Sequence, residues 1–303
     1  MPKAAFSLAS RPAPRPAPVM AEPRWASPAE GAKDRALHEF MRLLPVPLCS
    51  AMGAGLARFA IPLRHRPKLE RTMAALAVLR PELDEKERRR LALSNLTQAA
   101  RCLAEFSALG RFWKEGRIVV EGAEHLPRGR VVVAGLHLGN WEVIGAALCA
   151  LGHPVNFIYQ PPLSPTKHAI AIRARTAYGA RLIQPSTMAP REALRGLEAD
   201  QPLLIYLDEY KHGLVNAPAL GRPLPKGGNI ATALRLAART GAPLVAAYAL
   251  REPGPRFRLR FLPPLPVSGD LPADIAALEG VIDPVVRANL EQWLMLYCFR
   301  PLR

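Results

Sequence analysis

Cysteine is scarce in this chain. Cys49, Cys102, Cys149 and Cys298 stand far apart and form no CxxC pair, which argues against a zinc site and a disulfide framework and fits a reducing compartment. Acidic residues are also few: 25 Asp and Glu face 41 Lys and Arg, for a formal net charge of +16. That excess, dominated by Arg, points to anionic partners: nucleic acid, an anionic membrane surface or phosphorylated substrates. The chain has no zinc pattern, no aromatic-rich RNA-binding block and no basic recognition helix, so nucleic acid is not the expected partner. Near the N-terminus there is no uninterrupted apolar run of secretory length, and export is not expected.

What is present is enough apolar side chain, half of 303 residues, for a sizeable core, read as one large domain with a helical appendage. Residues 1–30, "MPKAAFSLASRPAPRPAPVMAEPRWASPAE", are rich in Pro, Ala and Arg without a hydrophobic period and read as a disordered or polyproline-like arm. Residues 31–115 read as a helical segment. Within it, 43–63 is apolar and flanked by Arg42, Arg64, Arg66 and Lys68. Its length would just span a bilayer, but Pro45, Pro47, Pro62 and Arg58 favour a helix lying in or against the membrane interface, with a buried core helix as the other reading. Asp84 followed by Glu87 forms a capping-box signature, and Ala92, Leu96, Ala99, Leu103 and Phe106 then recur at helical spacing. Arg88, Arg89 and Arg90 on that helix read as a solvated face.

After Gly116 short apolar or alternating runs ("RIVVEG", "RVVVAGL", "PVNFIYQ", "PLLIYLD", "APLVAAYAL", "RFRLRFL") alternate with helical stretches near 141–151, 165–178, 190–199 and 229–240. Residues 116–303 are therefore expected to form an α/β domain, a mixed central sheet flanked by helices, preceded by a helical, membrane-associating segment. In such sheets ligands gather at the carboxyl ends of the strands.

His137 falls at one such end. Val131–Leu136 read as a buried strand and Trp141–Leu151 as a nearly all-apolar helix, with "HLGNWE" in the turn between them. Glu142, five residues on, is expected to fold back to one imidazole nitrogen and leave the other free to take a proton. Gly139 would let backbone approach a substrate, and nearby helical N–H groups would face an oxyanion. No serine or cysteine sits beside the pair, which suggests activation of a substrate hydroxyl. The spacing alone is weak, since His65 and Glu70 share it where a surface helix start is expected. A structural histidine capping the helix fits the same pattern.

The stretch "HLGNWE" resembles the catalytic block of the lipid A biosynthesis acyltransferases, the lauroyl and myristoyl transferases, a branch of the lysophospholipid acyltransferase superfamily. Further blocks are similar to that family: "RPELDEKERRRLALSNL", "IVVEGAEHL", "YQPPLSP", "LGRPLPKGGNIATALRLAARTGAPLVA", and "DPVVRANLEQWLMLYCFRPLR" with its Gln292-Trp293 pair. The resemblance implies an O-acyltransferase of the His-x4-Glu type. His137 would be the general base and Glu142 its orienting partner, with no metal or cofactor beyond an acyl carrier protein or coenzyme A thioester as co-substrate. It also implies roles in substrate binding: Gly139 and Asn140 shaping the oxyanion and acyl pocket, Asp208 at a strand end, Arg222 and Lys226 on acceptor phosphates, and Arg173 or Arg175 toward the acidic donor or an anionic membrane lipid. A solvated surface charge fits each basic residue equally. The expected location is the cytoplasmic face of the inner membrane, peripheral or monotopic.

The chain departs from the family at Gln160, Glu209, Ala219 and Leu220. The acceptor therefore stays open between a lipid A precursor, a lysophospholipid, a glycolipid and an amino-acid lipid. A membrane-associated homologue without activity and a basic nucleic-acid-binding protein are the readings from other classes.

Overall fold

The computed structural model describes residues 27–300 apart from 163, 212 and 213. The arm expected over 1–30 lies outside these residues as far as 26. Its last four residues are instead ordered: Ser27 caps helix α1 (Pro28–Leu43), its hydroxyl accepting the Glu30 N–H in a capping box. Proline explains how such a segment can be helical, because at the first helical turn the missing N–H would have had no partner.

Leu44 and Pro45 are extended and break the chain before α2 (Val46–Arg64). Pro47 sits at its start and only Pro62 falls inside it, in the last turn. α3 (Arg66–Leu79) follows after His65, and Glu70 pairs with Arg66 at 2.8 Å on the surface. α4 (Glu85–Glu105) opens with the expected Asp84–Glu87 capping box. Ala92 and Leu96 are buried, but Leu103 is 74% exposed, and Asn95 and Cys102 are buried instead. α2 packs along α4. Gly53 makes this approach possible: a Cβ there would come within 2.7 Å of Ala104 Cβ.

α5 (Leu109–Lys114) leads into the sheet, whose strands are β1 (Ile118–Glu121), β2 (Val132–Gly135), β3 (Asn156–Ile158), β4 (Arg181–Ile183), β5 (Leu203–Tyr206), β8 (Leu244–Glu252) and β9 (Arg256–Phe261). A small hairpin of β6 (Tyr210–Lys211) and β7 (Leu214–Val215) stands apart. The seven-stranded sheet has the order β1-β9-β8-β2-β5-β3-β4, parallel except for the antiparallel β8–β9 pair. Helices α6 (Glu142–Ala150), α7 (Pro165–Thr176), α8 (Ala189–Glu198) and α9 (Gly228–Thr240) fill the crossovers. α10 (Leu271–Ala288) follows β9, and two 3-10 turns, Leu290–Gln292 and Leu294–Cys298, close the described chain.

The central strands are buried on both faces, which is why they read as continuous apolar runs. Their period of two divides the core. Val132, Ala134, Leu203, Ile205, Leu244 and Ala246 face a cluster with α8, α9, α10 and the C-terminal turns, while Val131, Val133, Leu204, Val245 and Ala247 face a cluster with α5 and α6. Each fully buried Val, Leu or Ile contributes about 1.5 to 3 kcal/mol from removal of apolar area from water.

Candidate active site

Strand register brings the first two residues of the site together. β2 and β5 are parallel neighbours with Val132 opposite Leu203 and Gly135 opposite Tyr206. Two residues beyond those ends, His137 and Asp208 meet: Nδ1 lies 2.9 Å from Asp208 Oδ1, and the His137 main-chain N–H donates to Oδ2 at 2.9 Å. A carboxylate at this distance favours Nδ1 as the donor, the tautomer that in a neutral ring leaves the lone pair on Nε2. Among the described residues Nε2 has no hydrogen-bond partner. The imidazole stacks on Tyr206 at 4.3 Å between centroids and meets Trp141 edge-on at 5.3 Å. Tyr206 is itself held by a 2.7 Å hydrogen bond from its hydroxyl to the Trp141 carbonyl, and burial pushes its phenol well above the ordinary range. His137 keeps 16% of its side-chain surface exposed while Asp208 keeps none.

The C-terminal turns run back along this loop. Leu294 N–H donates to the His137 carbonyl at 2.9 Å, Gly139 N–H to the Gln292 carbonyl at 3.0 Å, and Trp293 Nε1–H to Asp208 Oδ2 at 2.8 Å. Gln292 locks the same segment to β8, accepting the Arg251 N–H at 2.6 Å and donating to the Arg251 carbonyl at 3.1 Å. Asn95 on α4 donates to the carbonyls of Leu290 and Trp293 at 2.9 and 2.8 Å.

Gly139 is required where it stands. Its φ is +55°, and a Cβ would fall 2.3 Å from the Ala249 carbonyl oxygen. Its amide is spent on Gln292 and its carbonyl accepts the Cys102 thiol at 2.7 Å, a thiol that burial pushes up to about 12. Gly139 is thus a structural turn whose N–H is committed to the Gln292 carbonyl. Asn140 is fully buried: its amide donates to Glu105 Oε2 at 3.0 Å and its oxygen accepts the Glu142 N–H at 3.3 Å. Glu105, fully buried, in turn grips Arg251 with two 2.6 Å bonds, and the Arg251 side chain keeps only 5% of its surface exposed. Both residues hold the loop from beneath.

Glu142 is not the partner of His137. Its carboxylate makes a bidentate pair with Arg175 on α7, at 3.0 Å from Oε2 to Nε and 2.5 Å from Oε1 to Nη2, and Oε1 also accepts Trp141 Nε1–H at 3.2 Å. The reason is geometric. The first turn of α6 directs residue 142 across to α7, while the strand neighbour supplies the imidazole with a closer acid. Burial alone would lower the Arg175 guanidinium, but the Glu142 carboxylate outweighs it and holds the group above its ordinary value. The rings of Phe157, Tyr159 and Phe106 enclose the cation at 4.9, 5.4 and 5.6 Å.

The remaining candidates lie apart. Arg222 donates to the carbonyls of Val215, Pro218, Ala219 and Asn216 at 2.8, 3.0, 2.9 and 3.3 Å and covers the Phe299 ring. Four of its five N–H donors are therefore committed to the loop, and a clamp on that loop is the role its geometry supports. Lys226 is exposed before α9. Arg173 is exposed and contacts Glu39 of α1 at 3.3 Å. Sequence reasoning missed Glu105, Arg251 and Asn95, whose polarity inside apolar surroundings is visible only once burial is known.

Residues 36–298 match the profile of the family described as bacterial lipid A biosynthesis acyltransferase. A search of curated proteins found no match. Among solved structures the chain is similar to the crystal structure of the 1-acyl-sn-glycerophosphate (LPA) acyltransferase, PlsC, from Thermotoga maritima, with 14% identity, a TM-score of 0.37 and coverage of 80% of this chain and 94% of that one.

Proposed function

We propose that this chain, which belongs to the bacterial lipid A biosynthesis acyltransferase family, moves a fatty acyl group from an acyl carrier protein or coenzyme A thioester to a hydroxyl of a lipid acceptor, with His137 as general base. Membership makes it an acyltransferase acting on lipid substrates. The single observation that carries the finer reading is the imidazole of His137, anchored through Nδ1 by buried Asp208 and bare at Nε2 among the described residues.

Nε2 takes the proton of the acceptor hydroxyl as its oxygen attacks the thioester carbonyl. Asp208 steadies the imidazolium that forms. When the tetrahedral intermediate collapses, the carbon–sulfur bond breaks, the leaving sulfur takes the proton back from Nε2, and the ester is formed. No covalent enzyme intermediate is needed. A lipid A precursor is the acceptor the family name suggests; a lysophospholipid, glycolipid or amino-acid lipid differs only in what surrounds the hydroxyl.

Membrane attachment is part of the same reading. Among the described residues α2 is the one helix long and apolar enough to cross a bilayer. Val46, Cys49, Ser50, Gly53, Ala54, Ala57 and Ile61 are buried, and Leu48, Leu56, Phe59 and Leu63 are exposed at helical spacing on the outside. Leu37, Phe40 and Leu43 of α1 are exposed as well, and exposed Arg58, Arg64, Arg66 and Lys68 lie along and after α2. A helix docked along one side and apolar on the other lies in the interface of an anionic membrane.

The test is transfer of labelled acyl chains from acyl carrier protein and from coenzyme A into total membrane lipids, resolved by mass. Label entering one lipid class with native protein, and falling at least about 100-fold with His137→Ala, supports the proposal and names donor and acceptor. Transfer unaffected by the substitution overturns it.

A further inference from the structure

We infer that Trp293 is a positioning residue for His137, acting through Asp208: its indole N–H pins the carboxylate, and the pinned carboxylate fixes the tautomer and aim of the imidazole. The inference rests on the reading of His137 as the base.

Asp208 has no exposed surface, and its described donors are few. Two come from His137 itself, the main-chain N–H and Nδ1–H. The third is Trp293 Nε1–H at 2.8 Å from Oδ2. A carboxylate whose outer oxygen is held by two donors cannot swing, so Oδ1 stays aimed at Nδ1. Buried indole N–H groups need a partner, and here that partner is the acid behind the base rather than a main-chain carbonyl.

Trp293 can act this way because it is itself immobilised. It is fully buried. The bridge between Leu138 and Trp293, together with the bond from Leu294 N–H to the His137 carbonyl, ties it to the loop it serves. Its own carbonyl accepts the Asn95 side chain at 2.8 Å, and Gln292 beside it is clamped to Arg251. Movement of the segment would strip Asp208 Oδ2 of its indole donor and the His137 carbonyl of its Leu294 donor together.

The test uses Trp293→Phe, which keeps a ring in the core and removes the donor. In protein labelled with nitrogen-15 at histidine, His137 shows the Nδ1–H tautomer at mildly alkaline pH in the native chain and a mixture of tautomers in the variant. In transfer assays kcat falls about tenfold or more, out of the roughly 10² to 10⁴ that a positioned base supplies, while KM stays within about twofold because no substrate contact is removed. An unchanged tautomer with native kcat overturns the inference, as does a loss of thermal stability with the tautomer unchanged.

Should Trp293→Phe not fold, the native protein decides. Its Trp293 indole N–H resonance must move as His137 titrates, since both donate to one carboxylate; an unmoved resonance overturns the inference. If His137→Ala retains transfer, the assignment of the base fails, and the tautomer and indole measurements still decide whether Trp293 orients the imidazole.

Discussion

Glu142 and Arg175 form a bidentate ion pair with 6% and 11% of their side-chain surfaces exposed. The acid of the His-x4-Glu spacing therefore builds the wall of the site. Breaking a pair of this kind strands a buried charge, at a cost of about 3 to 5 kcal/mol. Glu142→Gln should lower urea stability by that order, and the double variant Glu142→Gln/Arg175→Met should recover most of it. A single variant as stable as the native chain would refute the structural role.

Arg222 should behave as a loop clamp. A lysine ammonium cannot reproduce a planar fork that reaches four carbonyls, and charged hydrogen bonds contribute about 1.5 to 3 kcal/mol each at most. Arg222→Lys should lose about 2 to 4 kcal/mol in urea unfolding, with the KM for the lipid acceptor unchanged in the folded fraction. A raised KM with native stability would return the residue to substrate binding.

Glu279 of α10 sets a pH dependence of stability. Burial pushes its carboxyl up to about 7, with nearby Asp283 adding to the rise and the Ala219 N–H and Arg222 opposing it. The native state binds the proton more tightly than the unfolded chain, so stability is fully present below about pH 4.5 and falls as pH rises from there through about 7. The loss is about 3 kcal/mol at most, at 1.36 kcal/mol per pKa unit. Glu279→Gln should flatten that slope and raise Tm above pH 7. Thermal unfolding across this range measures it; an equally steep slope in the variant would exclude Glu279 as its source.

The outer stripe of α2 should carry vesicle binding. Leu56, Phe59 and Leu63 are 64%, 76% and 81% exposed, so replacing all three with Ser leaves the packing on α4 intact. Each large apolar side chain buried in lipid is worth about 1.5 to 3 kcal/mol. The triple variant should therefore bind anionic vesicles at least about 100-fold more weakly in flotation, with unchanged Tm. Undiminished flotation would locate attachment elsewhere.

Much of this molecule is legible in its sequence, and the limits have a physical pattern. The Asp84–Glu87 capping box, the alternation of strands and helices, and the placing of His137 at a strand end are local signals, and the fold carries all three. Leu103 fits the same apolar period yet faces outward, because α4 turns Asn95 and Cys102 inward to meet the C-terminal turns and the site loop. The partner of His137 depends on which strand lies beside β2. Sequence order suggests Glu142, five residues away; the sheet answers with Asp208, which the register of β2 and β5 places opposite. The resemblance places Asp208 at a strand end in a substrate-binding role, but its pairing with His137 is a property of topology.

The backward run of residues 290–294 along residues 137–139 also orders events in time. A ribosome delivers His137 and its loop long before Trp293, so the growing chain holds the imidazole and its acid without the segment that fastens them. The contact that fastens Asp208 joins residues 85 apart in the chain, so it closes only when the C-terminal turns reach a sheet that is already paired.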